Sequence, residues 1–167
     1  MNLRPSSMFN DDLIRVILKD CKTATNFVGV YPIDHLPVQV QHPAGLIINL
    51  DKASSDGTHW VAIFINKQRH AIYFDSFGRK PPSPIVKFLL RNSNMYYTNT
   101  VQIQDSQSVY CGLFCVYFLY YSVRNYDMNS IVKKFQVSHL LKNDDIVYKH
   151  TQHLMSKNKK RKKLLCI

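Results

Sequence analysis

One stretch of the sequence, residues 109–121, constrains the fold more than any other. It reads VYCGLFCVYFLYY and, apart from one glycine, contains only apolar and aromatic residues. From Gly112 to about Tyr126 the periodicity is helical with apolar residues on most sides, which is typical of a helix buried inside a domain. The run is too short to cross a bilayer of about 30 Å as a helix. We therefore expect a central helix that the rest of the chain covers.

The segments around this helix predict an α+β fold. Runs of β-branched and aromatic residues predict strands, and these runs are residues 45–51, 60–66, 71–75 and 95–104. Periodicity and start signals predict helices over residues 10–21, 83–92, 129–135 and 143–156. Asn10 is expected to cap the first of these helices and Ser83 the second, and residues 29–37 to form a loop. This order of elements predicts an α+β plan, with a hairpin between the second and third strands.

The composition and charge predict one folded domain with a basic tail. Of the 167 residues, 46% are hydrophobic and 12% aromatic, as in a globular protein that can bury a core. No change in composition marks a second domain, so residues 1–156 are predicted to form a single domain. The net charge is +11, and six of the seven residues 157–163 are basic. We expect residues 157–167 to be disordered.

A basic tail of this kind has two interpretations. It is either a solvated segment or an arm that binds nucleic acid nonspecifically or acts as a nuclear-import signal. The candidate DNA-binding residues are Lys157, Lys159, Lys160, Arg161, Lys162 and Lys163. The first twenty residues carry several charges and do not form a signal peptide. The four irregularly spaced cysteines do not indicate a secreted disulfide scaffold. We therefore expect an intracellular protein that is not secreted and does not contact a membrane.

Three polar residues stand where the predicted elements could bring them together. His59 precedes one strand, Asp75 closes the neighbouring strand, and Cys111 begins the central helix. A thiol has an ordinary pKa of about 8.5, which a helix N-terminus and a nearby imidazolium lower. A carboxylate on the adjacent strand would fix the tautomer and orientation of His59. Gly112 leaves room for a substrate carbonyl to approach the backbone, and the N–H of Cys111 would help to hold an oxyanion.

Each of these residues also has a plainer interpretation. A buried cysteine in an apolar helix is usually a packing residue, His59 could be a surface residue, and Asp75 could simply begin a turn. Cys115, one helical turn deeper than Cys111, is interpreted as structural. No further Cys or His residues follow at finger-like spacing, so no metal site is predicted. From its position alone, Cys111 is equally compatible with a role as nucleophile and a role as packing residue.

The motifs around these residues resemble those of a known family. GTHWVAIF, YFDSFG and QDSQSVYCGLFC, in this order, are similar to motifs of the adenovirus-type (adenain-like) processing proteases. More distantly, they resemble the ubiquitin-like-protein (SUMO) proteases of the same cysteine-peptidase clan. The upstream FVGVYPIDHLP looks like the corresponding segment in proteases of adenovirus-like DNA transposons and related viruses. The similarity spans roughly residues 25–120. It implies the fold of that clan, a mixed sheet packed on a central helix that starts at the nucleophile.

The resemblance implies a role for each of the three polar residues and for Trp60. His59 would be the general base, Asp75 the residue that orients it, and Cys111 the nucleophile. Trp60 resembles the aromatic residue that follows the catalytic histidine, where it would support the substrate or the site. The alternative for Trp60 is a residue of the core.

The oxyanion amide is assigned to Gln104 on spacing. Gln104 lies seven residues before Cys111, which is the spacing of the adenovirus type. The ubiquitin-like-protein proteases use six residues, and that position is Asp105 here. Gln102 and Gln107 are nearby alternatives.

The resemblance also implies an activity. It is that of a cysteine endopeptidase that cleaves after glycine and processes virion precursor proteins in the host nucleus or the virion. We expect the protein to be a monomer. No cofactor is required for the chemistry, although DNA and a short peptide are activators in the adenovirus type. One alternative is a protease that processes or deconjugates SUMO-like modifiers. Another is an inactive relative that binds DNA or associates with capsids.

Overall fold

The computed structural model describes residues 10–55 and 57–156 of the chain. Its helices are α1 (Asn10–Ile17), α2 (Cys21–Asn26), α3 (Ser83–Asn92), α4 (Cys111–Ser122), α5 (Met128–Val132) and α6 (Leu140–Ser156). Its strands are β1 (Phe27–Pro32), β2 (Ala44–Asn49), β3 (Trp60–Ile65), β4 (His70–Phe74) and β5 (Met95–Thr98). The basic tail, residues 157–167, lies outside the described residues, so its disorder and its binding of DNA stay predictions.

The five strands form one mixed sheet in the order β1-β2-β3-β4-β5. The two outer pairs, β1 with β2 and β4 with β5, are parallel, and the inner pairs are antiparallel. The hairpin between β3 and β4 turns at residues 66–69, where Arg69 adopts a left-handed φ of 62°. The predicted α+β class, the mixed sheet and this hairpin are confirmed.

The sheet is covered on both faces. Every residue of β2 and β3 is buried, as expected of strands between two layers of helix. Helix α4 lies on one face, where Phe118 stacks on Phe74 of β4 with ring centroids 4.7 Å apart, and α3 packs against the other. In α4, 10 of 12 residues are buried. The prediction of a buried central helix is therefore confirmed.

Several predicted boundaries are wrong at the N-terminal side of the sheet. The first helix ends at Ile17 rather than at residue 21, and Asp20 then caps α2 by accepting from the Thr23 N–H at 3.0 Å. Residues 27–32 form strand β1 and not a loop, because they pair with the buried strand β2 in spite of Gly29 and Pro32. Pairing with a distant segment overrides the local turn signals here.

Further boundaries and caps differ from the prediction. The strand predicted over 95–104 ends at Thr98, and the residues after it form an irregular segment that leads to α4. Ser83 is the first residue of α3 rather than its cap, and the cap position is Pro82. Asn10 lies within α1, and its side-chain oxygen accepts from the indole N–H of Trp60 at 3.0 Å.

Gly112 shows how closely α1 and α4 approach. A Cβ at this position would lie 2.8 Å from Cδ2 of Leu13, which is completely buried. We expect Gly112→Ala to lower the free energy of unfolding by about 1–3 kcal/mol, because overpacking outweighs the better helix propensity of alanine. Urea denaturation measures this change. In a double-mutant cycle, Leu13→Val should recover part of the loss, and a Gly112→Ala protein more stable than the wild type would contradict the packing argument.

Within residues 10–55 and 57–156, no helix is both long enough and apolar enough to cross a membrane.

Candidate active site

The hairpin brings His59 and Asp75 to the same end of the sheet. His59 immediately precedes β3 and Asp75 immediately follows β4, and these two strands are antiparallel neighbours. Nε2 of His59 lies 2.8 Å from Oδ1 of Asp75, and both side chains are buried. The imidazole therefore has a fixed carboxylate partner, as the sequence predicts.

Asp75 begins a turn in addition to contacting His59. Its carbonyl accepts from the N–H of Gly78 at 2.8 Å, and its Oδ1 accepts from the N–H of Phe77 at 2.9 Å. Gly78 has a φ of +69°, and a Cβ there would lie 2.9 Å from the main chain of Val101. The turn therefore requires a glycine and allows the segment after β5 to pass close to Asp75.

An aromatic ring packs against the imidazole. The ring of Phe77 lies 4.9 Å from that of His59, tilted by 34°, and the guanidinium of Arg79 lies 4.8 Å from the Phe77 ring centroid. Phe77 therefore helps to exclude water from the pair formed by His59 and Asp75. The sequence places Phe77 in the FDSFG motif, but its role depends on the turn geometry.

Cys111 is the first residue of α4 and a free, largely buried cysteine. Nδ1 of His59 makes no hydrogen bond to the residues that the structure describes, and the neighbouring Cys111 raises the His59 pKa. We regard the two groups as neighbours in a loose contact, because catalytic hydrogen bonds in unliganded sites are often long and tighten with substrate.

The surroundings of His59 favour its charged form. Burial by itself lowers the pKa of His59, but the hydrogen bond with Asp75 and the neighbouring Cys111 outweigh burial and raise that pKa from 6.5 to about 9. An imidazolium at neutral pH is the partner that a thiolate requires. By contrast, burial raises the pKa of Cys115 well above its ordinary value, so this second thiol is held in its neutral form.

Gln104 lies beside the site with its carboxamide orientation fixed. Its Oε1 accepts from the Ser76 hydroxyl at 2.5 Å, and its Nε2 donates to the carbonyl and the hydroxyl of Ser108 at 3.0 and 3.1 Å. To hold an oxyanion, one N–H of Gln104 would have to exchange Ser108 for the substrate. Of its alternatives, Gln102 donates to the Gln104 carbonyl at 2.9 Å, and Gln107 is exposed. The oxyanion role of Gln104 stays a prediction.

Trp60 and Gly112 make contacts that serve packing. Trp60 is a buried member of the core cluster around α4, and its indole N–H binds Asn10. Gly112 packs against Leu13. These packing contacts explain why a tryptophan and a glycine occupy the two positions. The predicted roles of both residues toward substrate stay predictions.

The sequence does not indicate a role at the site for three residues, which are Asn99, Ser76 and Ser108. Each binds a predicted site residue through a hydrogen bond, and each lies in an irregular segment whose course depends on the folded sheet. In the part of the chain that the structure describes, no group of three or more His, Cys, Asp or Glu side chains could hold a metal ion.

A family model described as adenovirus endoprotease matches residues 27–165, which is well over half of the chain. Together with the fold, this match defines the class of the protein as a cysteine protease. Within that class, the chain belongs to the adenovirus endoprotease family. The resemblance that the sequence motifs indicate is thereby confirmed.

The individual proteins that this chain resembles bear the names of cysteine or SUMO proteases. Over 50 residues, which are 28% of this chain and 18% of the relative, the sequence is 36% identical to the SUMO-1 cysteine protease of African swine fever virus. The crystal structure of the protease of that virus superposes with a TM-score of 0.57 at 20% identity, covering 90% of this chain and 68% of that chain. The SUMO protease Ulp1 superposes with a TM-score of 0.43 at 13% identity, covering 84% of this chain and 80% of that chain. The sequence match therefore spans about a fifth of the length of the curated viral relative.

Proposed function

We propose that this chain is a cysteine endopeptidase in which Cys111 is the nucleophile, His59 the general base and Asp75 the residue that orients His59. One observation carries the proposal. The 2.8 Å bond between His59 and Asp75 lies beside a free cysteine at the N-terminus of a buried helix. The family supplies the reaction class, and this geometry supplies the groups that the reaction needs.

In the proposed reaction, His59 takes the proton of the Cys111 thiol, and the thiolate attacks the scissile carbonyl. The N–H of Cys111 lies in the first turn of α4, where N–H groups have no partner inside the helix, and it donates to the oxyanion together with Gln104. His59 then gives its proton to the departing amine. Water, deprotonated by His59, hydrolyses the thioester and restores the thiol.

We further propose that the substrate carries glycine before the cleaved bond and is a structural precursor protein of a virus or virus-like element. The family match supports this assignment. The second candidate substrate is a SUMO-like modifier, which the name of the African swine fever virus relative favours. An intracellular location in the host nucleus or virion, a monomeric state, and activation by DNA and a short peptide belong to the same proposal.

The proposal is tested by labelling with a peptide vinyl sulfone that ends in Gly-Gly, followed by mass-spectrometric mapping of the modified cysteine. We expect modification of Cys111 and not of Cys115. The same probe with leucine as its last residue is the matched control and should react far more slowly. Labelling of Cys115, or equal labelling by both probes, would contradict the proposed nucleophile or the proposed glycine preference, respectively.

Gln104→Ala is expected to lower kcat by about 10²-fold, because one oxyanion donor contributes roughly this factor in comparable sites. Gln107→Ala is the matched control, since Gln107 is exposed, and it should leave kcat unchanged. Steady-state cleavage of a Gly-Gly peptide measures both variants. A larger loss in Gln107→Ala than in Gln104→Ala would reverse the assignment of the amide.

A further inference from the structure

The side chain of Asn99 continues the sheet at the point where β5 ends. The last residues that pair between β4 and β5 are Tyr73 and Thr98. The next residue, Asn99, directs its carboxamide at the main chain of Asp75. Its Oδ1 accepts from the Asp75 N–H at 2.9 Å, and its Nδ2 donates to the Asp75 carbonyl at 2.6 Å. A carboxamide carries the donor and the acceptor of a peptide group, so Asn99 takes the place of one more strand residue.

This pair of hydrogen bonds is buried. Asn99 is 4% exposed and Asp75 is completely buried. The Asp75 carbonyl also accepts from the Gly78 N–H at 2.8 Å, and Nδ2 of Asn99 also donates to the Val101 carbonyl at 3.2 Å. Buried main-chain groups are costly to leave unpaired, so Asn99 holds Asp75 firmly.

The two hydrogen bonds with Asn99 fix the direction of the Asp75 side chain, because they hold the N–H and the carbonyl on either side of the Asp75 Cα. That side chain in turn meets Nε2 of His59 at 2.8 Å. Among the described residues, the other charged and titratable groups near His59 are Cys111 and, across an aromatic ring, Arg79. Of the groups around His59, Asp75 is therefore the one through which Asn99 acts.

We infer that Asn99 is a positioning residue that holds the Asp75 carboxylate in line with Nε2 of His59. This inference rests on the proposed roles of His59 and Asp75. It deepens them, because it assigns the placement of the carboxylate to a side chain outside the three groups that take part in the reaction.

Asn99→Ala is expected to lower kcat/KM for a Gly-Gly peptide by about 10- to 100-fold, since a small misplacement of a catalytic group has effects of this size. The alkaline limb of the pH–rate profile should move to lower pH by about one pH unit, because His59 loses part of its hydrogen bond with Asp75. The same shift should appear when the His59 ring is titrated by NMR, a measurement that needs no activity. Asn99→Ser, which can make one of the two bonds, should fall between Asn99→Ala and the wild type.

Asn92→Ala is the matched control. Asn92 is a buried asparagine of α3 whose carboxamide accepts from the N–H of Val40 and donates to the carbonyls of Val38 and Phe88. Its removal deletes three hydrogen bonds, one buried and two partly buried, on the other face of the sheet. We expect it to lower Tm while leaving the alkaline limb and the His59 titration unchanged.

A His59 titration in Asn99→Ala identical to that of the wild type would overturn the inference. Failure of both Asn99 variants to fold, while Asn92→Ala folds, would also overturn it, because Asn99 would then serve the sheet alone. Failure of the proposed function is distinguishable. In that case the wild type neither cleaves the peptide nor reacts with the probe at Cys111, while the His59 titration still decides the role of Asn99.

Discussion

Cys111→Ala is expected to lower kcat/KM for a Gly-Gly peptide by about 10⁴-fold or more. The reason is that the variant lacks the sulfur that forms the thioester, and His59 alone provides no covalent route. The substitution removes one atom from a largely buried position at the start of α4, so the fold should persist. A fluorogenic peptide assay measures the loss, and circular dichroism checks the folding of the variant.

Cys115→Ala is the matched control because it removes the same atom one helical turn deeper. Cys115 is completely buried, and burial keeps its pKa well above the ordinary value. The variant should lose some stability, since a small cavity remains in the core, but it should keep most of the peptidase activity. Equal losses of activity in the two variants would refute the assignment of Cys111 as nucleophile.

The elements that the sequence predicts well are those whose signal is local. Helix α4 is apolar on nearly all sides, and the β3–β4 hairpin consists of two β-branched runs around a polar turn. This hairpin places His59 and Asp75 at one end of the sheet, because the residue before the first strand of a hairpin and the residue after its second strand lie together at the open end. The juxtaposition of these two residues is therefore predictable from the strand positions.

The parts that the sequence does not predict depend on contacts between distant segments. Strand β1 carries a glycine and a proline, and only its pairing with β2 makes it a strand. Asn99 follows a strand that ends early, and nothing in its neighbours indicates that its carboxamide binds Asp75, 24 residues away. Likewise, the sequence does not predict that Gly112 packs against Leu13 on α1.

Asp75→Asn should have the second large effect, a fall in kcat of about 10²- to 10⁴-fold. An amide in place of the carboxylate neither stabilises the imidazolium nor enforces the required tautomer of His59. The alkaline limb should also move to lower pH, because the hydrogen bond with Asp75 helps to raise the His59 pKa to about 9 against the lowering effect of burial. A pH series of kcat from about 6 to 10 measures both changes.

The same substitution has a predictable effect on stability. The His59 pKa in the folded protein, about 9, lies above its ordinary value of 6.5. The stabilisation that this shift represents is therefore complete below pH 6.5 and is lost as the pH rises through about 9. Urea denaturation should show the largest deficit of Asp75→Asn near pH 6 and a shrinking deficit toward pH 9.5.

Asp20→Asn is the matched control for Asp75→Asn. Asp20 is a partly buried carboxylate that binds Arg124 at 2.8 Å, just beyond the C-terminus of α4. A helix of 12 residues rises about 18 Å, so this ion pair lies far from Cys111. The control should lose stability but keep the wild-type alkaline limb. An alkaline limb in Asp75→Asn that coincides with that of Asp20→Asn would show that Asp75 does not govern the protonation of His59.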